Sequence, residues 1–86
     1  DRMILARSLN AAALGDAAEL YPLPLPGGHM PGEVFPATVG SLRALTGQEL
    51  DHLIHIYNIV ADDTIPQLVD QRRKVVAQFF GVRSVG

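Results

Sequence analysis

The side chains with the clearest capacity for chemistry are three histidines, His29, His52 and His55, and the carboxylates near them, Asp51, Asp62 and Asp63. Asp51 and His55 stand four apart, a spacing that on a helix puts an oxygen and an imidazole nitrogen on one face, as a divalent metal needs. Two ligands do not make a site, and a third must come through space from His29 or Asp62. Asp51, His52 and His55 more simply form the solvated back of an amphipathic helix, so no metal and no cofactor are expected. Asp62 and Asp63 are an acid and a base by type, yet they directly precede Thr64, where negative charge suits a helix N-terminus.

Nucleophilic catalysis finds no support either. The chain has no cysteine, and Ser8, Ser41 and Ser84 lack a nucleophile-elbow context. Gly27-Gly28 marks a turn between prolines rather than a phosphate loop. We assign no catalytic residue and expect a non-enzymatic protein.

Charge is the remaining chemical signal. Residues 1–63 carry Arg2, Arg7 and Arg43 against eight acids, a balance of -5, while residues 64–86 carry Arg72, Arg73, Lys74 and Arg83 against Asp70, a balance of +3. The four basic residues are candidates for contact with phosphate or an acidic partner. Arg72, Arg73 and Lys74 span about 200° of a helix, which places Arg72 at the core edge with its stem packed and sends Arg73 and Lys74 to solvent. The net charge of -2 argues against a dedicated nucleic-acid binder.

The elements that must carry these residues are helical. Thr46-Gly47-Gln48-Glu49 is a capping box, and Leu45 and Leu50 occupy the positions of a hydrophobic staple. Leu50, Leu53, Ile54 and Tyr57 follow at i, i+3, i+4 and i+7, and Asn58 suits a left-handed end, so a helix is predicted over 47–57. Thr64-Ile65-Pro66-Gln67 reads as a second capping box opening a helix over 65–80, with Ile65, Leu68, Val69, Val76, Phe79 and Phe80 inward and Gly81 ending it. A shorter turn over 39–45 is capped by Thr38 and carries Val39, Leu42 and Leu45. Residues 58–63 between the long helices are expected to run extended with Ile59 inward.

The N-terminal part, residues 1–37, differs in kind from the helical module, 38–86. Asn10 can cap a helix over about 10–20, which must dock Leu14 and Leu20 to be stable. Five of the six prolines lie between Pro22 and Pro36, which makes 21–37 an extended arm. Pro22, Pro24 and Pro26 alternate with Leu23 and Leu25 as a polyproline-like strip that can lie on a surface at low entropic cost. The fold class is therefore all-α, a small helix-extended-loop-helix with an extended arm and a short N-terminal helix.

Residues 42–80 resemble the helix-extended-loop-helix group that includes SAP, LEM, HeH and Rho N-terminal modules, through Leu42, Thr46 with Glu49-Leu50, Leu53, the Tyr57-Asn58-Ile59 break, Asp63-Thr64, Leu68 and the basic residues at 72–74. That resemblance implies a recognition module without catalysis, engaging DNA or a partner protein. Acidic Asp62-Asp63 stands where the DNA-binding members are usually rich in lysine and glycine, which favours a protein partner. Residues 64–86 are also similar to short helical segments of phage tail baseplate proteins, which implies a structural subunit of a virion.

Apolar burial in the helical module only matches the entropy of ordering it, so part of its stability is expected from association. Leu14, Leu20, Tyr21, Leu23, Leu25, Val34 and Phe35 are the candidates to bury themselves on another protein subunit, in a homo- or hetero-oligomeric assembly. With 48% hydrophobic residues the chain is too apolar to be disordered, yet it has no apolar run near the roughly 18 residues of a membrane span. Its first residues show no secretory signal, so a cytoplasmic site, or a virion, is expected.

Overall fold

The computed structural model describes residues 2–83 as a small helical domain measuring 30 × 28 × 19 Å. Four α-helices follow in order: α1 (Arg2–Ala11), α2 (Val39–Arg43), α3 (Gly47–Tyr57) and α4 (Val69–Phe80). Single 3-10 turns lie at Gly32–Val34 and Asp62–Thr64. No strand forms among the described residues, only an isolated antiparallel bridge between Glu19 and Thr38. Helix α4 is the hub, with α3, α1 and α2 all packed against it.

Helix α3 begins where local chemistry dictates. Thr46 Oγ1 accepts from the Glu49 amide at 3.2 Å and the Glu49 carboxylate accepts from the Thr46 amide at 3.0 Å. Its apolar stripe, Leu50, Leu53, Ile54 and Tyr57, is buried, and Asn58 ends it in the left-handed region at φ 52°. Thr38 caps α2 through the Ser41 amide at 3.1 Å.

Helix α4 starts four residues later than its sequence suggests, and the Thr64-Gln67 box does not form. Ile65 precedes Pro66 and is held extended at φ -67°, ψ 123°, because the proline ring excludes helical geometry from the residue before it. Thr64 instead donates its hydroxyl to the Ala61 carbonyl at 2.8 Å. The helix opens after Leu68 without a side-chain cap, leaving Leu68 and Val69 exposed rather than in the core.

A second correction concerns residues 10–20, which are not helical beyond Ala11. Leu14 is exposed, so this stretch has no apolar stripe to hold a helix down. Residues 18–20 pair with 37–39 instead: the Leu20 amide donates to Ala37 O at 2.8 Å and the Val39 amide to Ala18 O at 3.1 Å. The helix of the N-terminal segment is α1, a run free of glycine and proline, with Asn10 in its last turn rather than at a start.

The two segments share one core. Leu20, Leu23 and Phe35 join Val39, Leu42, Leu50, Leu53, Ile54, Tyr57, Val76, Ala77 and Phe80 in a single buried cluster. Phe80 sits at its centre, with its ring 4.6 Å from that of Phe35 and 5.2 Å, edge-on, from that of Tyr57. Ile59, Ile65 and Phe79 pack at its margin.

Candidate interaction surface

The arm is fixed to the helices by polar contacts. Asn10 is fully buried at the end of α1, where its Nδ2 donates to Phe80 O at 2.9 Å and Tyr21 O at 3.1 Å while its Oδ1 accepts from the Tyr21 amide at 2.7 Å. One side chain thus ties α1, the arm and the end of α4. Two residues on, the Leu23 carbonyl accepts the Tyr57 hydroxyl at 2.6 Å. The arm then turns back through Gly28, at φ 89°, with the Leu25 amide bonded to His29 O at 2.7 Å.

Burial holds the Tyr57 hydroxyl well above its ordinary pKa of 10.0. A folded-state pKa above the unfolded one favours folding below pH 10 and gives that favour up as pH rises towards the folded value. Tyr57→Phe is expected to lower stability at neutral pH by about 1 kcal/mol and to shrink the alkaline loss. Urea midpoints of parent and variant at neutral and alkaline pH check both effects.

This anchoring decides which arm residues face outward. Leu20, Leu23 and Phe35 lie in the chain's own core, and Leu25 packs partly against it. The expectation that all seven arm residues reach another subunit is corrected for these: the surface they cover belongs to the same chain. Leu14, Tyr21 and Val34 remain exposed. Tyr21 meets Pro22, Pro24 and Met30 from the arm and Leu5, Ala6 and Leu9 from α1, and together these wall an open cleft of about 420 Å³. No charged side chain among the described residues lines it.

Leu5, Leu9 and Met30 were not among the sequence candidates. Leu5 and Leu9 are an i, i+4 pair in a run of good helix formers, a signal that assigning the helix to 10–20 obscured.

The basic residues do not form a common surface. Arg72 Nε donates to Pro66 O at 2.6 Å, and Arg73 donates to Leu45 O at 2.8 Å and pairs with Asp70 at 2.9 Å. Both arginines brace the loops that flank α3 and α4. The expectation that Arg73 reaches solvent is corrected: its side chain is largely covered, because the freed Leu45 carbonyl at the α2–α3 junction draws it inward. Lys74 and Arg83 are exposed. Arg7 lies at the C-terminal end of α4, its Nε bonded to Phe79 O at 2.7 Å and its guanidinium 4.6 Å from the Phe79 ring centre.

His55 Nδ1 lies 2.8 Å from the Asp51 carbonyl oxygen and 4.0 Å from the Asp51 carboxylate, on the exposed side of α3. No group of three or more metal-ligating side chains gathers among the described residues. Ser84 lies outside those residues. No helix among them is long and apolar enough to cross a membrane.

No family of known proteins matches this chain, and neither a curated protein nor a solved structure is similar to it.

Proposed function

We propose that this chain is a non-enzymatic protein-interaction module, a small subunit of a larger assembly, which engages a protein partner through the apolar face formed by α1 and the arm. One observation carries the proposal: four of the large hydrophobic side chains left exposed, Leu5, Leu9, Tyr21 and Met30, converge on one uncharged cleft. Scattered surface leucines need no explanation, but a contiguous apolar patch on a small domain marks an interaction site. The face is also held in shape, since Asn10 and Tyr57 fix the arm on both sides of Pro22. A preorganised surface loses less entropy on binding. A virion is proposed as the kind of assembly on the sequence resemblance of residues 64–86 alone.

The nucleic-acid alternative, through Arg72, Arg73, Lys74 and Arg83, is weaker because two of its four cations are already bonded to backbone carbonyls of the fold. Binding of the apolar dye anilinonaphthalene sulfonate to the native protein tests the proposal. The parent is expected to enhance dye fluorescence and Leu5→Glu with Leu9→Glu to lose most of that enhancement at unchanged helicity. A parent that leaves the dye silent would remove the observation's functional meaning.

A further inference from the structure

We infer that the occupant of the α1–arm face is a second copy of this chain, so that the protein forms a weak two-fold dimer; this rests on the interaction-face reading above. The face carries both halves of a self-complementary contact. Leu5 and Leu9 form the α1 wall of the cleft, and Tyr21, Pro22, Pro24 and Met30 form its arm wall. A two-fold axis through the cleft sets each copy's α1 wall against the other's arm wall, the reciprocal arrangement that a symmetric dimer requires.

Charge narrows the choice of partner. Among the described residues nothing in the cleft can pair with a phosphate or an acidic peptide, and no cation lines it to hold an anionic lipid surface. Two identical apolar linings can meet without setting like charges of the described residues against one another.

Area sets the strength. Leu5 is 62% exposed, Tyr21 49%, Met30 48% and Leu9 39%. Together with the prolines these leave on the order of 400 Å² of apolar surface on each copy, within the range of a functional patch. Two such faces bury about 800 Å², at the low end where weak, transient contacts lie. The dimer is therefore reversible and depends on concentration.

Sedimentation velocity of the full chain over about 10 µM to 1 mM tests this. The parent's weight-average sedimentation coefficient is expected to climb from monomer towards dimer, and Leu5→Glu with Leu9→Glu to weaken association at least tenfold. Tyr21→Ser, which alters the face from the arm side and keeps the backbone bonds to Asn10, is expected to act in the same direction. A parent that stays monomeric throughout, or variants that associate as the parent does, overturns the dimer. The dye measurement separates the two failures: a monomer whose dye binding is lost in the leucine variant loses the second copy as occupant but keeps the interaction face, and a monomer with no dye binding loses both.

Discussion

Gly81→Ala is expected to destabilise the domain by about 2 to 5 kcal/mol, the sum of a left-handed penalty of ~1–2 and an overpacking penalty of ~1–3. Gly81 ends α4 at φ 85°, a conformation that side chains rarely adopt. The same residue lies against the backbone of α1. A Cβ there would stand 2.6 Å from the Arg7 carbonyl oxygen and 2.9 Å from its Cα. Neither atom belongs to a flexible side chain, so relief requires α1 to move off α4. Small domains hold only about 5–15 kcal/mol in total, so the loss is a large share of the stability. Gly15→Ala is the matched control, because nothing lies within 4 Å of its Cβ position and its φ is not positive. Urea unfolding of both variants measures the contrast: a large drop at 81 and a change within about 0.5 kcal/mol at 15.

Asn10→Ala is expected to cost about 2 to 4 kcal/mol, because it removes three hydrogen bonds at once and leaves their backbone partners without a substitute at the buried meeting point of three segments. The loss has a local signature that a general weakening lacks. The Tyr21 amide bonds only to the Asn10 side chain in the contacts that hold the arm, so its hydrogen exchange should speed up more than that of amides inside α3. Asn10→Asp removes the two donors and sets a carboxylate against the Tyr21 and Phe80 carbonyls, so it should be no better tolerated than alanine. Either variant also frees the arm wall of the cleft.

Sequence signals succeeded where the determinants are local. The α3 boundaries follow from Thr46, Glu49 and Asn58, each acting within one turn of its own position, and the buried stripe follows from helical spacing. They failed where tertiary contacts override propensity. Ala11 to Ala18 favours helix by composition, yet Leu14 finds nothing to pack on and residues 18–20 do better by bonding to 37–39. Asn10 has the right identity for an N-cap, but the groups it satisfies are 11 and 70 residues away. The Thr64 box was a matching pattern defeated by the restriction Pro66 places on Ile65.

The candidate site was partly legible for the same reason. Arm residues are expected from sequence to bury themselves on another subunit, whereas Leu20, Leu23 and Phe35 pack in their own chain, on the side facing Phe80 and Tyr57. Which arm side chains then remain outside depends on the Asn10 and Tyr57 bonds, and no short-range pattern encodes those. The basic run at 72–74 was conspicuous by composition, whereas the carbonyls of Pro66 and Leu45 that engage it become accessible only through folding.

The central claim is that this protein acts through the apolar face of α1 and the arm and not through its basic C-terminal segment. One sedimentation series on three proteins tests it most directly: the parent, Leu5→Glu with Leu9→Glu, and Lys74→Glu with Arg83→Glu. The leucine substitutions should shift association at least tenfold and the charge reversals should leave it within about twofold, since each 1.4 kcal/mol is one decade. Association that is lost on charge reversal and retained by the leucine variant would contradict the account.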